Sequence, residues 1–267
     1  MSTVKMAGTA RVGVTPARVL RSEWHKFWTL RSTWITLSTA SVLILGTGLV
    51  MAIGHEPAGG GGLGEVGDPV VLTLIGVQFG QILLPVLGVL FSAGEYWTGM
   101  IRASLSAVPR RLPVLWAKAA VFAAVTLAMS SVTVLATFLL AQLFLSDTDM
   151  AASLTDPGIA GAVAGTAVAL TLFGVLGLGL GALIRSVPRA IGAFFAGAVV
   201  LPEVLSAVPS SAVQDAVAYF PARAGESLGA VQQHDGALSD GMALVTLCLW
   251  ALAALVAAGR LLKRRDV

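Results

Sequence analysis

Six long apolar runs separated by polar segments set the pattern of this chain: residues 33–53, 70–94, 119–145, 159–184, 190–208 and 241–259. Each is long enough to cross a bilayer core as a helix, which takes about 17 to 25 residues. Runs this continuous favour helices over a barrel, whose strands alternate apolar and polar positions over about 10 residues. The pattern predicts an all-α integral membrane protein with six transmembrane helices over 33–259, preceded by a polar region at 1–32 and followed by a basic tail at 260–267. Composition agrees, with 56% hydrophobic and 12% charged residues, against about 25% charged in a soluble domain.

Charge then orients the spans. Lys5, Arg11, Arg18, Arg21, Lys26 and Arg31 precede the first run; Arg102, Arg110, Arg111 and Lys118 lie between the second and third. Arg185 and Arg189 lie between the fourth and fifth, and Arg260, Lys263, Arg264 and Arg265 follow the sixth. Every lysine and arginine except Arg223 thus falls on one side, while Glu56, Glu65, Asp68, Asp147, Asp149, Asp156, Asp215, Glu226, Asp235 and Asp240 fall on the other. Basic residues resist translocation, so both termini are expected in the cytoplasm. The net charge of +3 is read as this orientation signal, and nothing suggests a nucleic-acid partner. The first run is of full spanning length and begins after some 30 polar and basic residues, unlike a cleaved signal peptide, and is read as a retained anchor.

Ahead of that run, residues 17–30 repeat an apolar pattern at Leu20, Trp24, Phe27 and Trp28, with Arg18, Arg21, His25 and Lys26 facing away. Wound as a helix, this is an amphipathic segment lying in the membrane interface. The other option is an aromatic belt with stop-transfer charges. Either way it is an interfacial lead-in.

Several spans carry polar or small residues with a physical meaning. Gln78 and Gln81 lie three apart in the second span, nearly on one face, ahead of Pro85, which can kink the helix. Amides inside a membrane either hydrogen-bond neighbouring helices or line a path. The fourth span has GxxxG spacings at Gly161/Gly165 and Gly177/Gly181, a packing face within the chain or across a dimer. In the fifth, Glu203 follows Pro202 roughly 21 Å along the helix from Arg189. An acid there needs a partner or water; either Arg223 pairs with it or the span ends at Pro202 and Glu203 is interfacial.

No catalytic chemistry is expected of this chain. The glycine-rich HEPAGGGGLGEVGDP loop lacks the Lys-Ser/Thr ending of a nucleotide loop, and no GxxxxGK[ST] occurs elsewhere. His25, His55 and His234 lie far apart with no HExxH motif, so no metal site is expected. No serine in a span has a histidine companion and no span holds an aspartate, against an intramembrane protease. Cys248, the single cysteine, is expected as a small buried side chain. No cofactor is expected on this chain.

The longest inner segment, EYWTGMIRASLSAVPRRLPVLWAK at 95–118, completes the picture. Together with the LRSEWHKFWTLRSTW lead-in and six spans with both ends inside, it resembles the permease subunits of type-2 ATP-binding-cassette exporters, notably the actinobacterial kind. In that family an acid after the second span is followed by a Gly-Thr or similar pair, a short apolar helix, a proline with basic residues, and a lysine opening the third span. Glu95, Gly99 with Met100, Leu105, Pro109, Arg110 with Arg111, and Lys118 match these positions. Met100 departs from the common threonine. The resemblance covers nearly the whole chain in layout, but its specific motif is confined to this stretch.

The resemblance implies a division of labour. A separate subunit would hydrolyse ATP, and the 95–118 segment would act as a short coupling helix through Glu95, Tyr96, Gly99, Arg102, Pro109, Arg110 and Arg111. A second permease copy, identical or different, would complete the translocation path in the plasma membrane, with Gln78, Gln81 and Glu203 on the spans that line the route. Exporters of this kind move drugs and antibiotics, peptides, lipids or glycans. The competing class is an ATP-independent secondary transporter or channel, which would show inverted repeats and charged relays within its spans; only Glu203 qualifies.

Overall fold

The computed structural model of the chain describes residues 16–55, 68–97, 111–231 and 236–264. Among them every regular element is helical, and six helices are long and apolar enough to cross a membrane. The chain is an all-α, multi-pass membrane protein. Helix α1 (Pro16–Thr29) leads into the first span, α2 (Arg31–Ile53). The second is divided between α3 (Pro69–Thr73) and α4 (Val77–Trp97). The third is α5 (Arg111–Leu145) and the fourth α6 (Ile159–Ile184). The fifth is composite: α7 (Val187–Phe194), a π-helical turn over Phe195–Val200, and α8 (Leu201–Ser206). Two short helices, α9 (Ser211–Val217) and α10 (Pro221–Gly229), precede the sixth span, α11 (Asp240–Arg264).

Three boundaries differ from the hydropathy pattern. The third span opens at Arg111 instead of 119. Pro113 in its first turn removes only an N–H that has no helical partner, and Lys118 is tolerated because it is buried and paired. The inner segment is correspondingly shorter, since α4 continues through Trp97. The second span breaks in a turn at 74–76, after the short α3, whose start is capped by Asp68, its Oδ1 accepting from the N–H of Val70 at 2.8 Å and of Val71 at 3.3 Å. Oδ2 of the same side chain accepts from the N–H of Val231 at 3.1 Å, so one carboxylate joins two distant connections. The fifth span widens because Pro202 cannot donate to the carbonyl of Ala198 and its ring crowds that position; the wider π turn accommodates it.

Helix α6 forms the centre of the bundle: 72% of its spanning residues are buried, against 22% in the fifth span. A helix apolar all round belongs inside, and its glycines let neighbours approach on more than one side. Gly177 and Gly181 face α4, where a Cβ on Gly177 would lie 2.6 Å from Pro85 Cα and one on Gly181 3.0 Å from Val89 Cα. Gly179 faces α11 at Ala254, and Gly165 faces the backbone of α10 at Leu228. The second GxxxG spacing is therefore an intrachain packing face. Gly161, its counterpart in the first, has open space beside it. Cys248 is exposed on α11, contrary to expectation.

Ahead of the sixth span, α9 and α10 form a folded cap. Ala224, Gly225, Ser227 and Leu228 of α10 are buried, with Gly225 against the Phe173 ring of α6. Trp250 of α11 donates its indole N–H to the Tyr219 carbonyl at 2.9 Å. On the same side of the bundle His55 Nε2 lies 3.0 Å from Asp149 Oδ1, joining the ends of α2 and α5. The hydrogen bond from His55 holds the Asp149 carboxyl below its ordinary value. A depressed carboxylate contributes stability above its unfolded pKa, about 3.9, that is lost as pH falls through the folded value. The thermal midpoints of the protein and of Asp149→Asn should therefore converge as pH drops below about 4; a gap that stays constant across pH would refute this tie.

Candidate functional site

Two constructions stand at opposite ends of the bundle, joined by α4. The first lies where α4 and α5 approach the 98–110 segment. Helix α1 has three faces here, not two. Val19, Glu23 and Phe27, spaced four apart, are buried against the bundle; Leu20, Trp24 and Trp28, also four apart, stay exposed; Arg18, Arg21 and His25 occupy the remaining arc. The expected single stripe of Leu20, Trp24, Phe27 and Trp28 is thus split. Phe27 enters the core beside Phe91 and Phe122, with ring centroids 5.1 and 6.1 Å away. Trp24 and Trp28 remain outside, and Trp28 continues onto Trp34 at 4.7 Å. An exposed apolar arc beside a basic arc suits a helix lying at a membrane surface.

Lys26 also departs from expectation, turning away from the basic arc into an ion cluster. Its Nζ lies 2.7 Å from Glu23 Oε1, while Lys118 Nζ of α5 lies 3.0 Å from Glu23 Oε2. Glu23 is 2% exposed and Lys118 4%. Lys118 further donates to the Phe91 carbonyl of α4 at 3.3 Å and sits 4.1 Å from the centroid of the Phe91 ring. Charges this deep persist only when paired and hydrogen-bonded. One carboxylate therefore fastens the lead-in helix to α5, and through Lys118 to the end of α4. Sequence reasoning missed Glu23; the available signal was its place between Val19 and Phe27, four residues from each.

The second construction is a cavity of about 790 Å³ at the other end, within the range that accepts a small molecule. Its floor is apolar, with Val70 and Leu74 from the α3 region, Val77 from α4 and Leu170 from α6. Gln78 and Gln81 line it together, as their spacing suggested, and the cap contributes Asp215, Arg223 and Glu226. Arg223 Nη2 lies 2.9 Å from Glu203 Oε1, and Nη1 lies 3.1 Å from Glu226 Oε2. Glu203 is paired with Arg223 and 60% exposed at the surface of the bundle. It does not line the cavity, and meets it through Arg223.

Among the other expected positions, Gly99, Arg102, Pro109 and Arg110 lie outside the described residues, as do the side chains of Glu95, Tyr96 and Arg111. No protein-family model matches this chain, and no curated protein matches it as a relative.

Proposed function

We propose that this chain is the permease subunit of a type-2 ATP-binding-cassette exporter, residing in the plasma membrane with both termini in the cytoplasm. A second permease copy completes its path, and a separate ATPase docks on the segment between α4 and α5. The observation that carries the reading is the course of α4. This helix leaves the 98–110 segment at Trp97 and presents Gln78 and Gln81 to the cavity at its far end, roughly 24 Å from Trp97 to Gln81 at 1.5 Å per residue. A force applied at the segment has a continuous element along which to reach the cavity. Fastening of α1 to α4 and α5 through Glu23 and Lys118 supports the same reading, because lead-in and lever then move as one body.

An ATPase with a Walker-type loop, encoded beside this reading frame, is the expected partner. The purified chain should bind no ATP alone. Reversing the charge at Arg110 and Arg111, or Glu95→Ala, should uncouple ATPase activity from export while membrane insertion is kept; charged contacts between such groups and a soluble partner are charge-assisted hydrogen bonds. Nucleotide binding by the isolated chain would break the division of labour. Unchanged export in both variants would favour an ATP-independent carrier.

A further inference from the structure

The cavity carries a charge asymmetry that the exporter reading does not use. Two carboxylates, Asp215 and Glu226, line it with a single basic side chain, Arg223, the only one among the described residues lining the cavity, and a third, Glu203, holds Arg223 from outside the lining. The Arg223 guanidinium is engaged on both sides, by Glu203 at 2.9 Å and Glu226 at 3.1 Å. An anionic ligand would have to displace one of these carboxylates to reach it. Among the described residues Asp215 has no cation within ion-pair distance. Apolar walls concentrate the field of the charges at their rim, and the floor offers Leu74, Val77 and Leu170 to an apolar body. The side-chain carbonyls of Gln78 and Gln81 give a positively charged group further acceptors in the same wall.

We propose that this cavity binds lipophilic cations, molecules with an apolar body and a single positive charge. Apolar contact with the floor supplies affinity, and the surplus of carboxylates selects the sign. The proposal deepens the exporter reading by naming a substrate class, and rests on that reading only for the claim that the bound cation is carried.

A matched pair of probes separates charge from apolarity: tetraphenylphosphonium and tetraphenylborate have the same shape and opposite sign. Equilibrium dialysis against the full purified chain in nanodiscs should show a saturable component for tetraphenylphosphonium and none of similar affinity for tetraphenylborate. Asp215→Asn should weaken the cation by about three- to tenfold, the effect of one carboxylate at short range in a partly solvated site. Asp215→Lys should weaken it further. Asp215 is exposed on α9 and makes no contact that folding needs, so both variants should fold. Absence of saturable phosphonium binding, equal affinity for the two probes, or unchanged affinity in both variants would overturn the proposal. Selective phosphonium binding by a chain whose export is unchanged both by the Arg110 and Arg111 reversals and by Glu95→Ala would keep the cation site and remove the exporter reading. Intact coupling chemistry with no phosphonium binding would do the reverse.

Discussion

Replacing Glu23 with alanine is expected to destabilise the folded chain by about 3–5 kcal/mol, the penalty for removing one partner of a buried ion pair. Lys118, 4% exposed, would lose the carboxylate 3.0 Å away that ties α5 to α1. Lys118→Met should be milder, because Glu23 keeps Lys26 at 2.7 Å and Lys26 is partly solvated. The double variant Glu23→Leu with Lys118→Met should lose less than the sum of the two, since the pair they share is counted once in it and twice in the sum. Thermal unfolding of the detergent-purified protein reads the stabilities. Faster tryptic cleavage after Arg18 and Arg21 reads the release of α1. A Glu23→Ala protein that unfolds with the parent midpoint and cleavage rate would show that the cluster holds nothing in place.

The second large effect is expected at the contact between α4 and α6. A Cβ on Gly177 would meet the Pro85 carbonyl oxygen and lie 2.6 Å from Pro85 Cα; one on Gly88 would meet the Gly174 carbonyl oxygen and lie 2.6 Å from the Leu178 nitrogen. Every one of these atoms is backbone, so no side chain can rotate out of the way and the two helices must separate. Gly177→Ala and Gly88→Ala should each destabilise by about 1–3 kcal/mol, the usual range for overpacking, read as a lower thermal midpoint and a lower yield of monodisperse protein. Gly161→Ala is the control. It lies on the same helix as Gly177 with no atom within 4 Å of its Cβ, and alanine is the better helix former, so this variant should be neutral or slightly stabilised. Equal behaviour of Gly161→Ala and Gly177→Ala would mean that close approach is not what these glycines provide.

How far the sequence could be read depends on which contrast each feature presents. The six spans were legible because water and lipid differ sharply, and an uninterrupted apolar run has few other fates. Which face of each span meets protein was not legible, because leucine against lipid and leucine against leucine are nearly equivalent. Helix α1 shows both sides of this. Its period was visible, but Phe27 turns inward and Trp28 outward, and the residue that decides between them is Glu23, whose partner Lys118 lies far along the chain. The cap formed by α9 and α10 was hidden for another reason. Its helices are short and small-residued, and α10 is buried only because Gly165 of α6 admits its backbone. Asp68 counted as one more outer acid, although it caps α3 and holds Val231. Gln78 and Gln81 stand out as two amides in an apolar run and both line the cavity, but their letters alone do not separate a bond to a neighbouring helix from a path-lining place.

The π turn over Phe195–Val200 has a consequence for how this chain should be compared with others. A π turn accommodates one residue more than an α-helical turn, and each residue of an α-helix advances the azimuth by about 100°. Everything downstream in α8 is rotated accordingly, and it is on this rotated azimuth that Glu203 reaches Arg223 at 2.9 Å. A relative lacking that single residue would keep the Pro-Glu dipeptide in its sequence and point the carboxylate elsewhere. A one-residue gap between 195 and 200 in an alignment therefore marks a change in what holds Arg223 at the cavity, even where every aligned letter agrees.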